Sequence, residues 1–457
     1  MTMNTITSIC TRNLAKYAQS APRYTSYPTA LKFSHIQEQD VTLASESYGS
    51  DSLSLYIHIP FCHTLCYYCG CNKIVTRHQD KADGYLNYLQ KEIEIKRYLH
   101  QEKRIASLHL GGGSPSFLTS GQHKRLMALL DANFVFEDGC EKSIELDPRH
   151  VDTDYLKALS NLGYNRVSFG LQDVDHKVQT AINRVQSTAH ISDLVFAAKS
   201  HGFHSVNLDL IYGLPHQTLE TFSTTLSATL AMMPDRVSLF SYAHLPTRFA
   251  AQRKIDESFL PDATLKAALY DLAVNHFTSK GFDMIGLDHF ARTTDTLAIA
   301  KKNGELHRNF QGYTTRGDTD LLGIGVSAIS TIGNAYGQNP KVLKDYYECI
   351  DENTPLTKVG LLLTDDDLIR REVIMALMCN LNVEKSAIES KFAINFDEYF
   401  AEELTLLEEV ARDGLIELGA ERLHVPEKAR IYIRAICAHF DAYFKDVGLS
   451  ARYSKAI

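Results

Sequence analysis

The sequence lacks long apolar runs, because no stretch approaches the roughly 18 consecutive apolar residues that a membrane-spanning helix needs. Residues 1–16 also lack the sustained apolar segment of a signal peptide. Basic residues are in the minority, since 47 lysines and arginines stand against 55 aspartates and glutamates, for a formal net charge of -8. These absences argue against a spanning protein and against a general nucleic-acid or anionic-membrane surface. We therefore expect a cytoplasmic protein.

The sequence also contains no low-complexity tract and no internal repeat beyond an alternation of strands and helices. Its 457 residues, of which 44% are hydrophobic, predict one large domain plus a smaller one around a packed core. Nine cysteines are an odd number, which in a cytosolic chain favours metal or catalytic use of clustered cysteines. The remaining thiols, expected to be buried or incidental, are Cys10, Cys140, Cys349, Cys379 and Cys437.

A short cysteine-rich loop is the most informative stretch of the chain. The apolar run 53–59 predicts a buried strand, and Pro60 ends it because proline cannot donate to a central ladder. The loop that follows has no helical or strand period to about residue 81, and loops of that length are usually functional. Within it, Cys62, Cys66 and Cys69 form a CxxxCxxC array, in which one turning loop can aim three thiolates at one point.

This array predicts a metal site. Iron–sulfur clusters are normally held by four thiolates, so three cysteines would leave one iron open to a substrate or cosubstrate. Spacing alone also allows a disulfide, or a structural zinc site completed by Cys71, His58 or His63. Cys71 follows Cys69 by two residues and shares its side of an extended segment, so it can approach the site as a ligand, a supporting residue or a redox group.

Strands and helices alternate from residue 53 to about residue 291. Apolar runs predict strands at 53–59, 105–110, 143–146, 166–169, 206–211, 237–241 and 284–287, and amphipathic segments predict helices at 82–98, 120–132, 153–162, 189–200, 219–232 and 262–279. Thr153 marks one helix start, and Gly163, Gly202 and Gly281 mark helix ends. Repeated units of this kind imply an α/β fold, a parallel sheet covered by helices, with its chemistry at the carboxyl ends of the strands.

Six consecutive strand ends carry glycine, polar or ionisable residues, namely 62 onward, 111–115, 145–148, 170–173, 209–215 and 242–244. The three glycines at 111–113 let the backbone approach a ligand closely, although glycine runs also make plain turns. Glu145 and Asp209 can accept hydrogen bonds from hydroxyl or ammonium groups of a ligand, or act as salt-bridge or capping carboxylates. Gln172 and Arg184 add an amide and a guanidinium, the latter suited to a bidentate contact with a carboxylate.

The regions outside the alternating units have a different pattern. Residues 1–50 include the segment 21–28, whose two prolines bias the preceding residues away from helix, so we predict an extended arm. Residues 292–360 are polar and less periodic, and the run 321–332 can pack as strand or loop against the sheet edge.

The C-terminal region returns to helices. Thr364 is a suitable N-cap, followed by three aspartates that favour the helix dipole. A small hairpin at 415–418 and 423–425 precedes a helix at 428–440, an arrangement similar to a winged-helix module, but no dense basic stripe supports nucleic-acid binding. We predict three parts: an arm at 1–50, a catalytic domain at 51–360 and a mostly helical domain at 361–457.

The cysteine array resembles the cluster motif of radical S-adenosylmethionine (SAM) enzymes. Its flanks, YIHIPFC before and CGCNK after, are similar to the oxygen-independent coproporphyrinogen III oxidases (coproporphyrinogen dehydrogenases) of that superfamily. The resemblance extends over essentially the whole chain through PRYTSYPTA, NLDLIYGLP, SYAHLP, GLDHFAR, LHRNFQGYTT and GDTDLLGIGVSAIS. It implies an open, partial (β/α)6 barrel.

The resemblance also implies the ligands and their residues. It assigns a 4Fe–4S cluster to Cys62, Cys66 and Cys69, one SAM on the fourth iron and a second SAM beside it. The cluster-bound SAM is assigned to Tyr56, Gly112, Glu145 and Ile329, and the second to Tyr68, Gly113, Ser114, Gln172, Arg184, Asp209 and Ala243. Ser114 replaces the family's usual threonine and keeps the hydroxyl, whereas Tyr68 replaces its usual phenylalanine. Catalytic roles are expected for Tyr56, Cys71 and Glu145.

The reaction implied is oxidative decarboxylation. A low-potential cluster reduces SAM, and the resulting 5'-deoxyadenosyl radical abstracts a β-hydrogen from a propionate of coproporphyrinogen III. Loss of carbon dioxide and a further electron leaves a vinyl group, and two rounds give protoporphyrinogen IX, in haem biosynthesis. The candidate residues for the substrate's four carboxylates are Arg23, Arg149, Arg292 and Arg308.

The expected partners are coproporphyrinogen III, a low-potential electron donor and an electron acceptor, with the enzyme acting as a monomer and binding neither nucleic acid nor membrane. Two related functions are the alternatives: a haem-trafficking chaperone and an anaerobic haem-degrading radical SAM methyltransferase. Cys71 and the PRYTSYP arm favour the oxidase over both.

Overall fold

Six parallel strands, each followed by a helix, form the centre of the computed structural model, which describes Asn13, Lys16, Tyr17 and residues 20–444. In that part of the chain the strands are β1 (Ser34–His35), β2 (Ser52–Ile59), β3 (Phe61–Cys62), β4 (Ile74–Val75), β5 (Arg104–Gly112), β6 (Val135–Leu146), β7 (Arg166–Gln172), β8 (Ser205–Tyr212), β9 (Arg236–Ser241), β10 (Phe282–Ile285), β11 (His289–Arg292), β12 (His307–Asn309), β13 (Gly312–Thr314), β14 (Asp320–Ile324), β15 (Ile329–Ile332), β16 (Ala335–Gln338), β17 (Val359–Leu362), β18 (Asn382–Glu384), β19 (Glu417–Leu418) and β20 (Arg422–His424).

The α-helices of the same part are α1 (Glu38–Tyr48), α2 (Asp80–Ile95), α3 (Ser120–Asn133), α4 (Thr153–Asn161), α5 (His176–Ala181), α6 (Thr188–Ser200), α7 (Leu219–Ala231), α8 (Ala263–Thr278), α9 (Thr296–Asn303), α10 (Leu343–Asp351), α11 (Asp365–Asn380), α12 (Lys385–Phe392), α13 (Phe396–Tyr399), α14 (Ala401–Arg412) and α15 (Ile433–Cys437). None of these helices is both long and apolar enough to cross a bilayer.

The main sheet has 13 strands in the order β1-β17-β16-β15-β14-β2-β5-β6-β7-β8-β9-β11-β10. Strands β2, β5, β6, β7, β8 and β9 run parallel in chain order, and β14 adds a seventh parallel strand beside β2. The two outermost strands, β1 and β10, are not paired to each other, so the sheet is curved but open. This confirms the partial (β/α)6 barrel.

Side chains alternate between the two faces of the parallel strands, as the two-residue period of a strand requires. In β2, Leu53, Leu55 and Ile57 are fully buried on the side of the covering helices, while Ser54 and Tyr56 point into the enclosed space, which we call the lumen. The lumen side of strands β5 to β9 is mostly polar, with Ile211 and Phe240 as apolar exceptions. The apolar side builds the core, and the polar side is left to line the site.

A layer of small polar side chains crosses the middle of the lumen. Ser107 Oγ donates to Ser54 Oγ at 2.9 Å. On the opposite wall Asn207 Nδ2 donates to Ser168 Oγ at 2.8 Å, and Ser238 Oγ donates to Asn207 Oδ1 at 3.2 Å. Because these groups bond to one another across neighbouring strands, the layer is satisfied internally.

Four local predictions differ from the structure. The predicted strand at 284–287 is β10, which pairs antiparallel with β11 instead of continuing the parallel series. The arm is not extended throughout, because α1 forms between its prolines and the barrel, with a capping box at Gln37. Asp152, one residue before Thr153, is the N-cap of α4. The predicted helix at 428–440 is a 3-10 segment, Glu427–Tyr432, followed by the five-residue α15.

The C-terminal region otherwise follows its pattern. Thr364 caps α11 and forms a capping box with Asp367. Strands β19 and β20 form the predicted hairpin, and β18 extends it to three strands. The segment 321–332, predicted to be strand or loop, supplies all of β14 except Asp320 and all of β15 in the main sheet.

The N-terminal arm packs against the C-terminal region. Tyr17 hydroxyl donates to Asp413 Oδ2 at 2.6 Å, and Tyr24 hydroxyl donates to Asp441 Oδ2 at 3.0 Å. The buried Arg434 guanidinium donates to the carbonyls of Ala21 and Pro22. These contacts join the two ends of the described chain.

A buried ionic network supports the loop after β14. Lys96 Nζ lies 2.8 Å from Glu92 Oε1, and both side chains are almost fully buried. Glu92 Oε2 accepts from Gly325 N at 2.7 Å and from Tyr346 hydroxyl at 2.6 Å, while Lys96 Nζ donates to Gly323 O at 3.1 Å. Because every charge is compensated, the network fixes the backbone of residues 323–325 beside β2.

Candidate active site in the barrel lumen

A cavity of about 480 Å³ occupies the lumen and opens under the cysteine-rich loop. It extends from the carboxyl ends of the parallel strands down to Arg166 and Arg236 at their amino ends. Of the residues singled out from the sequence, those that line it are Cys62, Cys66, Cys69, Cys71, Tyr68, Gly112, Gly113, Ser114, Glu145, Gln172, Arg184 and Asp209.

The cysteine loop is tied to the barrel by backbone contacts. Strands β3 and β4 form a short parallel pair that closes the loop at its base. Tyr67 N donates to Ile182 O at 3.0 Å, and Asn183 Nδ2 donates to Leu65 O at 2.8 Å. The loop therefore has little regular secondary structure yet is held over the carboxyl ends of the strands, with all four of its cysteines lining the cavity.

Two arginines contact the sulfur of Cys66. Arg149 Nη2 donates to Cys66 Sγ at 3.5 Å, and Arg184 Nη1 donates to it at 3.4 Å. Both guanidinium groups also face Asp147, with Arg149 Nη2 at 2.6 Å and Arg184 Nη2 at 3.4 Å from its carboxylate. Burial works to raise the pKa of Asp147, but the two arginines hold that pKa well below its ordinary value. Asp147 is thus a permanent anion that orients both arginines.

The thiols of the loop influence one another. Burial, together with nearby Cys69 and Cys66, raises the pKa of the Cys62 thiol to about 12. A hydrogen bond with Cys71 lowers the pKa of Cys69 to about 6, and the same contact raises the pKa of Cys71. Cys71 therefore lies beside the array, as its spacing from Cys69 allowed.

Glu145 is positioned by a row of aromatic and imidazole rings. The ring of Tyr56 stacks on that of His109 at 5.9 Å, and His109 Nε2 lies 3.1 Å from Glu145 Oε1. Burial works to raise the pKa of Glu145, but the hydrogen bond with His109 and the nearby His58 hold that pKa below its ordinary value. The Glu145 side chain is 48% exposed, so its carboxylate faces the cavity as an ionised group.

The glycine turn after β5 has no room for side chains. A Cβ atom on Gly112 would lie 2.7 Å from His58 Cε1, and one on Gly113 would lie 2.5 Å from Pro60 O. Gly112 also has a φ of 118°, a conformation that favours glycine. Ser114 N donates to Phe61 O at 2.9 Å, which fastens the turn to the start of the cysteine loop. The turn thus brings bare backbone to the edge of the cavity beside the thiols.

Three buried polar atoms of residues that line the cavity have no hydrogen-bond partner in the described part of the chain: Gln172 Oε1, Arg184 Nε and Gln311 Nε2. Gln172 adopts a φ of 63°, which is rare for a residue with a side chain and marks a position held by its surroundings. Since buried polar groups are nearly always paired, these atoms indicate a missing polar ligand.

Asp209 lies between the serine layer and the cysteine loop. Ser168 Oγ donates to Asp209 Oδ2 at 3.1 Å, and Asn207 Nδ2 donates to Asp209 Oδ1 at 2.8 Å. Burial and the negative charge of Glu145 raise the pKa of Asp209 to about 6. A cationic or hydroxyl ligand would lower that pKa again.

Three predicted residues lie beside the cavity without lining it. The Tyr56 hydroxyl contacts His58 Nδ1 at 3.1 Å, behind Glu145. Gln252 Nε2 donates to both Ala243 O and Tyr68 O, at 3.1 and 3.0 Å, which places the Ala243 backbone next to Tyr68.

Ile329 is the third predicted residue that lies beside the cavity, and it approaches the site through its backbone. A Cβ atom on Gly323 would lie 2.5 Å from Ile329 O, and Gly323 pairs with Tyr56 in the sheet.

The four candidate arginines for the substrate lie in different places. Arg23 Nη2 donates to Ser241 O at 2.7 Å, at the carboxyl end of β9, and Arg149 is engaged by Asp147. Arg308 is buried over the ring of Tyr313 and 3.6 Å from Asp288. Arg292 is misplaced for this role, because its Nε donates to Pro234 O, which precedes β9 at the opposite end of the barrel.

Sequence reasoning missed His109 and underestimated Asp147. His109 alternates with Ser107 on the lumen side of β5, and this two-residue period was the available signal. Asp147 falls within the strand end 145–148, but nothing in the local sequence shows that it meets Arg184, 37 positions away. Asn309 and Gln311, in the hairpin of β12 and β13, also line the cavity.

The donor set fits an iron–sulfur cluster with a polar cosubstrate. No group of three His, Cys, Asp or Glu side chains in the described ranges is arranged around a single metal ion, as zinc would require. His58 is unsuited to zinc as well, because both its ring nitrogens are engaged, by Tyr56 and by Asn72 O. The thiolates of a cubane bind separate irons, so spread thiols over a cavity suit it. The unpartnered Gln172 and Arg184 atoms and the glycine turn suit the cosubstrate.

All eight cysteines that the structure describes are free thiols, which excludes the disulfide at this loop. Four of the five thiols outside it are buried, as expected: Cys140, Cys349, Cys379 and Cys437. Cys10 lies outside the described residues.

An open α/β barrel with CxxxCxxC thiols over a cavity at the strand ends defines the class, and the family model of the Radical SAM superfamily matches residues 56–228. Proteins of this class use a 4Fe–4S cluster and SAM. The HemN C-terminal domain matches residues 363–432.

Full-length similarity narrows the class to one family. The chain is 50% identical over 445 residues to the oxygen-independent coproporphyrinogen III oxidase of Salmonella typhimurium, covering 97% of both chains. It is 43% identical over 450 residues to that of Pseudomonas aeruginosa, covering 97% of this chain and 98% of the relative. The solved structure described as coproporphyrinogen III oxidase (HemN) from Escherichia coli, a radical SAM enzyme, superposes with a TM-score of 0.90 at 50% identity, over 92% of this chain and 97% of the other. The chain belongs to the oxygen-independent coproporphyrinogen III oxidase family.

Proposed function

We propose that the lumen holds the machinery for the oxygen-independent oxidative decarboxylation of coproporphyrinogen III. Two propionates become vinyl groups and protoporphyrinogen IX is formed, as the family's activity in porphyrin and haem biosynthesis requires. The observation that carries the proposal is the meeting of four loop cysteines, a bare glycine turn and unpartnered polar atoms in one cavity. This arrangement matches the family's chemistry and not that of a zinc site.

Cys62, Cys66 and Cys69 would hold the cluster, and its fourth iron would take SAM. When bound, the cluster and SAM supply a 5'-deoxyadenosyl radical for hydrogen abstraction. Arg149 and Arg184 donate hydrogen bonds to Cys66 Sγ, and such bonds to cluster sulfurs raise the reduction potential of a cluster. Asp147 offsets part of that effect by neutralising one of the two positive charges.

We assign two SAM molecules to adjacent positions in the cavity. Tyr56 on β2, Gly112 on β5, Glu145 on β6 and Ile329 on β15 would serve the SAM on the cluster. Tyr68, Gly113, Ser114, Gln172, Arg184, Asp209 and Ala243 would serve the second SAM. The unpartnered atoms of Gln172 and Arg184 support this second site.

The site offers both a carboxylate and a guanidinium group, and these complement the ammonium and carboxylate groups in the amino-acid part of SAM. Glu145 is ionised and faces the cavity, so it can accept from a ribose hydroxyl or an ammonium group. Arg184 presents a free Nε to a carboxylate. Catalytic roles for Tyr56, Cys71 and Glu145 are supported by the stack that links Tyr56 to Glu145 and by the closeness of Cys71 to Cys69.

Arg23 is the best-placed arginine for the substrate's propionates. Its guanidinium lies at the carboxyl end of β9, and it donates to a single backbone carbonyl. Arg149 is paired with Asp147. Arg308 lies near Asp288 and over the ring of Tyr313. We place the substrate between the mouth of the lumen and the PRYTSYP arm.

We further propose a cytoplasmic monomer that depends on a separate low-potential electron donor and an electron acceptor. Its parts would be the arm (1–50), the radical SAM domain (51–360) and the C-terminal domain (361–457). The free thiols described above suit a reducing compartment.

Anaerobic turnover tests the proposal. Reconstituted protein would receive reductant, SAM and coproporphyrinogen III, with products measured by mass spectrometry. We expect 5'-deoxyadenosine, a tripropionate intermediate and protoporphyrinogen IX. Cys66→Ser should abolish all three, whereas Cys349→Ser, which changes a buried thiol outside the lumen, should not. Formation of 5'-deoxyadenosine with intact substrate would contradict the substrate assignment and make haem the next molecule to test.

A further inference from the structure

Four cations surround the outer side of the cysteine loop, and we call them the cationic rim: Arg77, Arg248, Lys254 and Lys341. All four side chains are exposed. None of them lines the cavity, unlike Lys73, which does. The rim is therefore separate from the groups that face SAM or substrate in the lumen.

Contacts from three segments place the rim around the loop. Lys254 Nζ lies 5.1 Å from the ring centre of Tyr67, in the loop itself. Asn72 Nδ2 donates to Lys341 O at 2.9 Å. Thr76 N, just before Arg77, donates to Cys62 O at 3.0 Å.

Arg248 reaches the same loop through its neighbour. Its guanidinium lies over the ring of Phe249, whose edge would be 3.0 Å from a Cβ on Gly70. The rim thus borders the residues between Cys62 and Cys71 on several sides.

The rim carries uncompensated charge. In the described part of the chain none of its four members forms an ion pair, whereas other surface cations do, such as Lys91 with Asp351 and Lys344 with Glu348. The acidic neighbours Asp256 and Glu257 contact Ser258 and His244 instead. A local positive surface on a chain of net charge -8 is a specific feature, because the average surface is negative.

From this geometry we propose that the cationic rim docks an acidic protein that carries a low-potential one-electron centre. This inference rests on the proposed function, which requires electrons from outside the chain. In the step served by the rim, the reduced centre of the partner loses one electron and the cluster held by the loop gains it, with no atom transferred. Charge complementarity would orient the partner over the thiols and speed its association.

The test compares two triple charge reversals with the same change in net charge. R77E/K254E/K341E removes three rim cations, and K124E/K157E/K280E reverses exposed, unpaired lysines on α3, on α4 and after α8. The probe is a bacterial flavodoxin, an acidic protein with one FMN. Its binding to the full-length reconstituted protein would be measured by biolayer interferometry at low salt and at 1 M salt, and cluster reduction by loss of visible absorbance.

We expect the rim variant to bind flavodoxin about tenfold or more weakly at low salt, and to be reduced by it correspondingly more slowly. The difference should disappear at 1 M salt, where the Debye length is about 3 Å. The control variant should stay within about twofold of the wild type. Both variants should be reduced normally by photoreduced 5-deazariboflavin, a small reductant that needs no docking surface.

Three outcomes would overturn the proposal: unchanged flavodoxin binding in the rim variant, an equal loss in the control variant, or slow reduction of the rim variant by the small reductant. If the rim variant lost binding to anionic lipid vesicles but kept its binding to flavodoxin, the proposal would also be overturned. Failure of the proposed function is distinguishable, because turnover of coproporphyrinogen III with the chemical reductant would then be absent in the wild type as well.

Discussion

The floor and the mouth of the lumen contain the same kinds of side chain but differ in what those side chains contact. We call Glu141, Arg166, Arg236, Asp295 and Thr296 the floor, and Cys66, Asp147, Arg149, Gln172 and Arg184 the mouth. On the floor, Arg166 Nη2 lies 2.6 Å from Glu141 and Arg236 Nη2 lies 2.9 Å from Asp295. Thr296 Oγ1 accepts from both arginines, at 3.3 and 3.1 Å.

At the mouth, two arginines share one carboxylate and one sulfur, and two polar atoms lack partners within the described residues. The floor is thus complete without a ligand, whereas the mouth is complete only with one. In this barrel, charged groups therefore mark a binding site only where charged or polar atoms beside them lack a partner. Changes on the floor should affect stability, and changes at the mouth should affect ligand binding.

The largest effect is expected on the floor. Arg236→Met leaves Asp295, whose side chain is only 7% exposed, without its cation, and should lower the free energy of unfolding by about 3–5 kcal/mol. Urea titration of the cluster-free protein measures this. Arg236→Met/Asp295→Asn should recover most of the loss, because asparagine keeps the cap of α9 without the charge. A large loss of SAM affinity in a still folded single variant would break the distinction between floor and mouth.

A smaller effect, on binding, is expected at the mouth. Arg184→Ala removes the guanidinium proposed for a SAM carboxylate, so one of the two proposed SAM sites should weaken by about 10- to 100-fold, the value of a charge-assisted hydrogen bond. Equilibrium dialysis of the reconstituted protein with labelled SAM should show a stoichiometry falling from two to one. Arg125→Ala, on the exposed side of α3, is the matched control. Unchanged affinity and stoichiometry would contradict the role given to Arg184.

The pH dependence of Asp209 tests the boundary between the two regions. Its pKa in the folded protein is about 6, above the ordinary value of 3.8, so the folded state holds this proton more tightly than the unfolded state. Stability from this group is therefore greatest at low pH and is lost as the pH rises from about 4 to about 6.

Asp209→Asn cannot lose a proton, so its stability relative to wild type should increase over that interval, by on the order of 2 kcal/mol. Urea titrations of both cluster-free proteins at pH 4 and pH 7 measure this. A constant difference between them would show that Asp209 is not perturbed.

The smallest effect is expected in the serine layer. Ser168→Ala removes the hydroxyl that donates to Asp209 Oδ2, and should cost about 0.5–1.5 kcal/mol. Because that hydrogen bond favours the ionised carboxylate, its loss should also raise the pKa of Asp209, shifting the pH dependence described above upward. Ser200→Ala, at the exposed end of α6, should change neither quantity.

Local pattern predicted the six strand–helix units and the cysteine array well, because burial on two faces and turn chemistry act over short stretches. It failed where long-range pairing decides the structure. Strands β15 to β17 join the main sheet only by pairing with segments such as β14 and β1, and β10 turns back on β11. The 3-10 segment Glu427–Tyr432 is fixed by Arg430, whose guanidinium bonds both Glu427 and the distant Gly286 O.

The site was predicted residue by residue but not as a set of contacts. The positions of Cys66, Glu145 and Arg184 followed from motifs, yet the arginine–sulfur contacts and the stack of Tyr56 on His109 depend on the curvature that brings neighbouring strands together. Arg292 was misassigned for the same reason, since sequence cannot tell which end of the barrel an arginine after a strand will occupy.

The contacts between the arm and the C-terminal region have a consequence for biosynthesis. Tyr17, Tyr24 and the carbonyl groups of Ala21 and Pro22 leave the ribosome almost a full chain length before Asp413, Arg434 and Asp441, their partners. Because domains generally fold as they leave the ribosome, the barrel can form before the arm has made its contacts with the C-terminal region. The contacts between the arm and residues 413–441 can therefore form only after the strands of the barrel have been synthesised.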